Sequence, residues 1–271
     1  MPELPEVETV RRTLLNLIKG KTITNIDVKY NRIIEYPKVD EFKKEIVGQK
    51  INDMQRRGKI LIFVLDDYLL LSHLRMEGRY YIKSSKDEHV KHEHVIFTLD
   101  KKEELRYLDT RKFGRMYLYP KDIAFTSKPI SELGLEPWDK DLTANYLKNK
   151  YKNKRLPIKT VLLDQSIITG IGNIYDDEIL FKSRINPLKK ASDLTDNDLE
   201  NIIKYTRETL EKAIKLGGST IHSYESAEGV TGRFQNELNV HTKDICPVCG
   251  TKIVKIKVNG RGTYYCPNCQ K

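Results

Sequence analysis

Seven short runs decide the fold of the first half of the chain: ITNIDVKY (23–30), KILIFVL (59–65), YLLLSHL (68–74), GRYYI (78–82), HVIFTL (94–99), ELRYLD (104–109) and RMYLY (115–119). Each is short and rich in branched or aromatic residues, and charged or glycine-containing turns separate them, as a β-sandwich or barrel requires. Ahead of them, Pro2 to Gly20 reads as a helix. Pro5 suits a first turn, Val7, Val10, Leu14, Leu17 and Ile18 recur at helical spacing, and Gly20 can end it. Around SKPISELGLEPWD (127–139) the pattern changes, and from Leu142 onward the period is helical: ANYLKNKY (144–151), PIKTVLLD (157–164), NIYDDEILFKS (173–183) and DNDLENIIKYTRETLEKAIKLGG (196–218). Thr195 and Asp198 have capping-box spacing at the start of the last helix, and a glycine pair closes it. Ser219 to Asn236 holds neither period and carries Gly229 and Gly232, so it reads as a mobile loop.

Composition narrows the partners. The 271 residues hold 48 Lys plus Arg against 38 Asp plus Glu, a formal charge of +10, which favours a polyanion. No apolar run approaches the roughly 20 residues that span a bilayer, and no basic-then-apolar signal opens the chain. The expectation is a soluble, cytoplasmic, nucleoid-associated monomer without membrane contact, and nucleic acid heads the list of partners.

All four cysteines fall near the end, as Cys246-Pro-Val-Cys249 and Cys266-Pro-Asn-Cys269 with sixteen residues between the pairs. A disulfide-stapled secreted protein would spread its cysteines through its loops, whereas paired C-x2-C knuckles supply the four soft donors of tetrahedral zinc. Between the knuckles, KIVKIKV and RGTYYC flank Asn259-Gly260, a dipeptide suited to a two-residue hairpin turn. One structural zinc ion thus holds a β-hairpin with Arg261 at its tip, beside Lys255 and Lys257. Four thiolates leave no open position for metal catalysis.

The opening MPELPEVETVRRTL (1–14) resembles the start of formamidopyrimidine-DNA glycosylases, in the family that also holds endonuclease VIII. RRGKILIF (56–63), LSHLRMEGRY (71–80), YLDTRKFGR (107–115), ITGIGNIYDDEILF (168–181), GVTGRFQNELNV (229–240) and the terminal ribbon follow in the family's order. The resemblance covers essentially the whole chain. It implies an α+β multidomain fold: an amino-terminal helix plus β-sandwich (residues 1–134), a helical helix-two-turn-helix domain with a lesion-capping loop (135–238) and a zinc finger (239–271). It also implies a bifunctional glycosylase and abasic-site lyase on double-stranded DNA carrying oxidised purines or abasic sites.

Residue chemistry fits that implication. With Met1 removed, Pro2 is a secondary amine, and an α-amino group with a pKa near 8 leaves a useful fraction uncharged at neutral pH. Attack at the sugar C1′ expels the damaged base, and the iminium ion then acidifies the C2′ proton, so that the 3′ and 5′ phosphates depart. The resemblance assigns the proton transfers to Glu3, with Glu6 nearby, and adds Lys59 and Arg261 to the catalytic set. Met76, Arg111 and Phe113 match the residues that fill the gap left by an extruded base, a chemistry suited to Met and Phe stacking area and to Arg donors. His73, His92, Lys159 and Asn173 are the implied DNA contacts, with Arg75 a further candidate. Gly170 and Gly172 would clear space for a phosphate at the helix opened by Asn173, where amides and dipole attract anions. Val230, Thr231, Gly232, Arg233 and Phe234 match the lesion-capping loop.

Taken alone, several of these residues have plainer readings. Pro2 and Glu3 could be an ordinary helix start, Met76 and Phe113 core residues, Arg261 and Lys159 solvated charges, and Asn173 a helix cap. The chain also departs from the family pattern after NELNV, where many relatives continue Tyr-Gly-Arg and a longer link but this one reads His241-Thr242-Lys243-Asp244-Ile245. Two rival functions stand beside the purine enzyme: an endonuclease VIII-like glycosylase for oxidised pyrimidines, and a non-catalytic zinc-ribbon protein that only binds DNA.

Overall fold

The computed structural model describes residues 1–219 and 232–271, which form two compact units. One holds Met1–Pro2 and Glu6–Ser131, the other Glu3–Pro5, Glu132–Ser219 and Gly232–Lys271. Among the described residues no helix is long and apolar enough to cross a membrane.

The first unit contains helix α1 (Leu4–Ile18, less its first two residues) and strands β1 (Ile23–Val28) and β2 (Ile34–Tyr36). Helix α2 (Val39–Ile46) follows, then β3 (Asp53–Arg57), β4 (Ile60–Val64), β5 (Tyr68–His73), β6 (Arg79–Ser84), β7 (Glu93–Leu99), β8 (Glu103–Leu108) and β9 (Arg115–Pro120). They make a five-stranded sheet in the order β2-β9-β5-β4-β3 and a four-stranded sheet in the order β1-β7-β8-β6. All pairings are antiparallel except β2 with β9. The α1 stripe Val7, Val10, Leu14 and Ile18 joins Leu61 and Phe63 of β4, Phe97 of β7 and Leu105 of β8 in one core. Tyr80 of β6 packs its ring 5.5 Å from Phe63 and lies 2.7 Å from Ser72 Oγ, so the sheets meet face to face as a sandwich. On the polar side of α1, Glu8 pairs with Arg11, Arg12 and, at 3.3 Å, Arg56 of β3. Burial opposes the charge on Glu8, but the guanidinium groups outweigh it and hold the carboxyl at about 2, tying the helix to the sheet.

The second unit contains helices α3 (Ala144–Tyr151), α4 (Ile158–Leu162), α5 (Asn173–Lys182) and α6 (Asp196–Lys215). The capping box forms: Asp198 N donates to Thr195 Oγ1 at 3.1 Å, and Thr195 N donates to Asp198 Oδ2 at 3.0 Å. Gly217 and Gly218, at φ of 76° and 82°, then turn the chain out of α6 as left-handed residues can. Strands β10 (Val254–Val258) and β11 (Arg261–Tyr265) form the ribbon hairpin, with Asn259 and Gly260 both at positive φ as its two-residue turn demands. Ribbon and helices belong to the same unit.

Candidate active site

Helix α5 is the scaffold of the site. Its N-cap, Gly172, has no side chain to satisfy the first amides. Glu3 performs that task from a distant part of the chain, accepting hydrogen bonds from Ile174 N at 2.9 Å and Tyr175 N at 3.3 Å. A Cβ on Gly172 would lie 2.2 Å from Glu3 Cδ, and one on Gly170, which sits at φ 100°, would lie 2.4 Å from Leu4 Cδ1. Leu4 N also donates to Gly170 O at 3.1 Å. The space expected to admit a phosphate is therefore filled by Glu3 and Leu4, and the anion drawn to this helix terminus is a carboxylate of the protein. Pro2 directly precedes that carboxylate in the chain.

Lys159 corrects a second expectation. A phosphate-contacting lysine must reach the surface, but Lys159 is fully buried. Its Nζ lies 2.6 Å from Asp177 Oδ1 and 3.6 Å from Asp176 Oδ2, and it donates to Asn173 O at 3.2 Å. Burial works against its charge, yet the two carboxylates more than compensate and raise its pKa. For Asp176, also fully buried, burial prevails over the lysine and holds the carboxyl well above the usual carboxylate range. The lysine is an internal counter-ion. Asn173 gives one amide hydrogen to Gly262 O of β11 at 2.9 Å, so that side chain is partly committed to the ribbon.

In the sandwich unit the gap-filling candidates sit on two turns. Tyr107 explains the glycines of both, since a Cβ on Gly78 or Gly114 would fall 2.3 or 1.8 Å from its hydroxyl oxygen. Asp109 shapes the second turn by accepting from Arg111 N at 3.0 Å and Gly114 N at 2.8 Å. The turn leaves Arg111 and Phe113 exposed, the guanidinium 4.8 Å from the ring centroid, while Met76 is half-buried. His73, half-buried, accepts Arg75 N at Nδ1; burial first, then Arg75 and Lys59, lower its pKa to about 3. Its imidazole is therefore neutral at pH 7. His92 is held at φ 75°, and Lys59 is buried.

Of the capping-loop set, Val230 and Thr231 lie outside the described residues. Phe234 is 1% exposed and packs 5.3 Å from the Tyr175 ring, inside the helical core. Gly232 and Arg233 form a stem, with Arg233 N donating to Leu216 O at 2.9 Å and Phe234 N to Gly218 O at 3.0 Å. The Arg233 side chain is exposed.

The four cysteine sulfurs all lie within 4.8 Å of one another, with Cys246 and Cys269 at 3.8 Å and Cys249 and Cys266 at 3.5 Å. A tetrahedron of Zn–S bonds near 2.3 Å has edges of about 3.8 Å, so the set fits one structural zinc ion. Arg261 is exposed at the start of β11. Because metal binding supplies the folding free energy of so small a module, Cys266→Ser is expected to abolish stoichiometric zinc and weaken DNA binding at least about tenfold. Metal analysis alongside a binding titration checks this, and one retained zinc per chain would contradict the ligand set.

Sequence reasoning did not single out Asp177 or Glu178, whose signal was three consecutive acidic residues within α5, and it marked His241 only as the start of the segment that departs from the family pattern.

Comparison with known proteins fits this layout. Residues 1–116 match the family model for the formamidopyrimidine-DNA glycosylase N-terminal domain, 133–225 that for its H2TH domain, and 245–271 that for a zinc finger found in FPG and IleRS. Three such modules in this order define a zinc-finger DNA glycosylase. Formamidopyrimidine-DNA glycosylases of Oceanobacillus iheyensis and Shouchella clausii are 49% and 48% identical over all of this chain and 98% and 99% of their own lengths. A Lactococcus lactis FPG variant in complex with DNA containing Fapy-dG matches with a TM-score of 0.94 and 41% identity, covering 100% of both chains. The chain belongs to the formamidopyrimidine-DNA glycosylase family.

Proposed function

We propose that this protein removes oxidised purines, 8-oxoguanine and formamidopyrimidines, from double-stranded DNA and then cuts the strand through a Schiff base on Pro2. The observation that carries the reading is the buried carboxylate of Glu3, held on the α5 terminus and covalently next to the nucleophile. After removal of Met1, the Pro2 nitrogen donates its lone pair to C1′ and the bond from C1′ to the base breaks, its electron pair leaving with the base. Glu3 takes the proton released from the Pro2 nitrogen and passes it to the departing atom, which keeps charge balanced. Ring opening then breaks the C1′–O4′ bond, whose electron pair goes to O4′ and is protonated from solvent, while the nitrogen lone pair forms the C1′ iminium ion. Loss of a C2′ proton then expels the 3′ phosphate, and a second elimination expels the 5′ phosphate.

In this reading Met76, Arg111 and Phe113 enter the gap left by the extruded base, which limits an unstacking cost of a few kcal/mol. Arg261 serves the phosphates around the lesion, Lys59 completes the catalytic set, and His73, His92 and Asn173 contact the DNA. The enzyme acts as a monomer on cytoplasmic, nucleoid-associated DNA, and the net charge of +10 suits that partner.

A second reading, preference for oxidised pyrimidines, is favoured by a Lactococcus lactis FPG relative whose structure holds DNA containing an oxidised pyrimidine. Single-turnover assays on duplexes carrying 8-oxoguanine opposite cytosine or thymine glycol separate the two. The expected outcome is at least about tenfold faster cleavage of the purine substrate, a barrier difference of roughly 1.4 kcal/mol. Faster cleavage at thymine glycol would reverse the assignment.

A further inference from the structure

Beyond the glycosylase chemistry, α5 carries a second set of buried charges that the mechanism does not use. Glu178, fully buried, accepts four hydrogen bonds from the segment leading to the ribbon. Its Oε2 takes Asn239 N and Asn239 Nδ2, each at 2.8 Å, and its Oε1 takes Val240 N at 2.9 Å and His241 N at 3.0 Å. One carboxylate thus fixes three successive backbone amides and so aims the next side chain. That side chain is His241, buried, with Nδ1 2.7 Å from Asp177 Oδ2 and its ring edge-on to Tyr264 at 5.0 Å.

Asp177 joins three elements. Oδ1 accepts from Lys159 of α4, and Oδ2 takes both His241 and, at 3.3 Å, Tyr264 N of strand β11. One turn earlier on α5, Asn173 Nδ2 donates to Gly262 O on the same strand. The spacings match: four helical residues advance about 6 Å and two strand residues about 6.6 Å, so positions 173 and 177 meet 262 and 264 in register. Strand β11 begins at Arg261, one residue before the first of these contacts. A slip along α5 would therefore carry the guanidinium with it.

We propose that Asp177 and His241 are positioning residues for DNA recognition: they lock the ribbon hairpin at one register on α5 and thereby place Arg261. The inference rests on the reading above only in assigning Arg261 to DNA. His241→Phe keeps the ring stack on Tyr264 but removes the donor to Asp177. His241→Asn keeps a donor where Nδ1 stood.

The test uses full-length, zinc-loaded protein and a short duplex holding a reduced abasic-site analogue. His241→Phe is expected to bind it about tenfold more weakly, with one zinc per chain, whereas His241→Asn stays within about twofold of the unaltered protein. Single-turnover excision of 8-oxoguanine at saturating protein should fall no further in His241→Phe than in Arg261→Ala, and should hold in His241→Asn. In combination with Arg261→Ala, His241→Phe should add nothing, because the hairpin then has no guanidinium left to place. Full affinity in His241→Phe, multiplied losses in the double variant, or loss of zinc or fold in both His241 variants would each overturn the proposal. An unaltered protein that binds the duplex but fails to excise 8-oxoguanine would instead refute the glycosylase reading and leave the seat of the ribbon intact.

Discussion

Protein bearing one additional residue ahead of Pro2 is expected to give no borohydride-trapped adduct with an abasic duplex and no strand cleavage, while its DNA affinity stays within about threefold. The nitrogen of Pro2 can act as a nucleophile only when it terminates the chain, because acylation delocalises its lone pair into a planar amide. As a terminal amine with a pKa near 8 it is uncharged in about a tenth of molecules at pH 7, which suffices for attack. Met1 is 42% exposed, whereas Pro2 is buried. Processed and extended forms should therefore differ in the covalent step far more than in binding. Mass spectrometry of the reduced adduct locates the linkage. Attachment to a lysine, or undiminished trapping by the extended form, would remove Pro2 from its proposed role and with it the central step of the mechanism.

The sandwich was legible because its strands alternate apolar and polar residues or run apolar when covered on both sides, as in β4 and β5. Strands β2 and β3 and helix α2 escaped for an equally physical reason. Strand β3 reads DMQRR and buries only Met54, β2 has three residues, and α2 buries only Phe42 and Ile46, so none shows a period long enough to register. The four main helices and the ribbon followed from helical spacing and from C-x2-C chemistry. The interior of the site did not. Nothing local to Glu3 says that it caps a helix beginning at Asn173, and lysine's usual place at a surface argued against burying Lys159 between two aspartates. Phe234 was read from its neighbours in a loop motif, whereas its own apolar surface sends it into the core against Tyr175. The metal-facing cysteines could be assigned from type and spacing, but side chains held by partners far along the chain needed the fold.

The same long-range contact makes Glu3→Gln the most informative single-atom change. The variant is nearly isosteric and can keep one acceptor for Ile174 N or Tyr175 N, but its amide nitrogen would turn hydrogens toward the second backbone donor. It also cannot take a proton from the Pro2 nitrogen and return it. Excision of 8-oxoguanine is expected to fall roughly 10²- to 10⁴-fold, the usual worth of a positioned general acid–base. Trapping on a preformed abasic site, where no base has to leave, should fall less. Gly172→Ala provides a companion that leaves the carboxyl chemistry untouched: its added Cβ would fall 2.2 Å from Glu3 Cδ, so the side chain must leave its place on α5. If the carboxylate works only where the helix terminus holds it, both variants lose excision together while zinc content and DNA affinity stay near those of the unaltered protein. Wild-type excision by Glu3→Gln would show that the proton moves by another route, and wild-type excision by Gly172→Ala would show that the helix terminus does not set the position at which Glu3 acts.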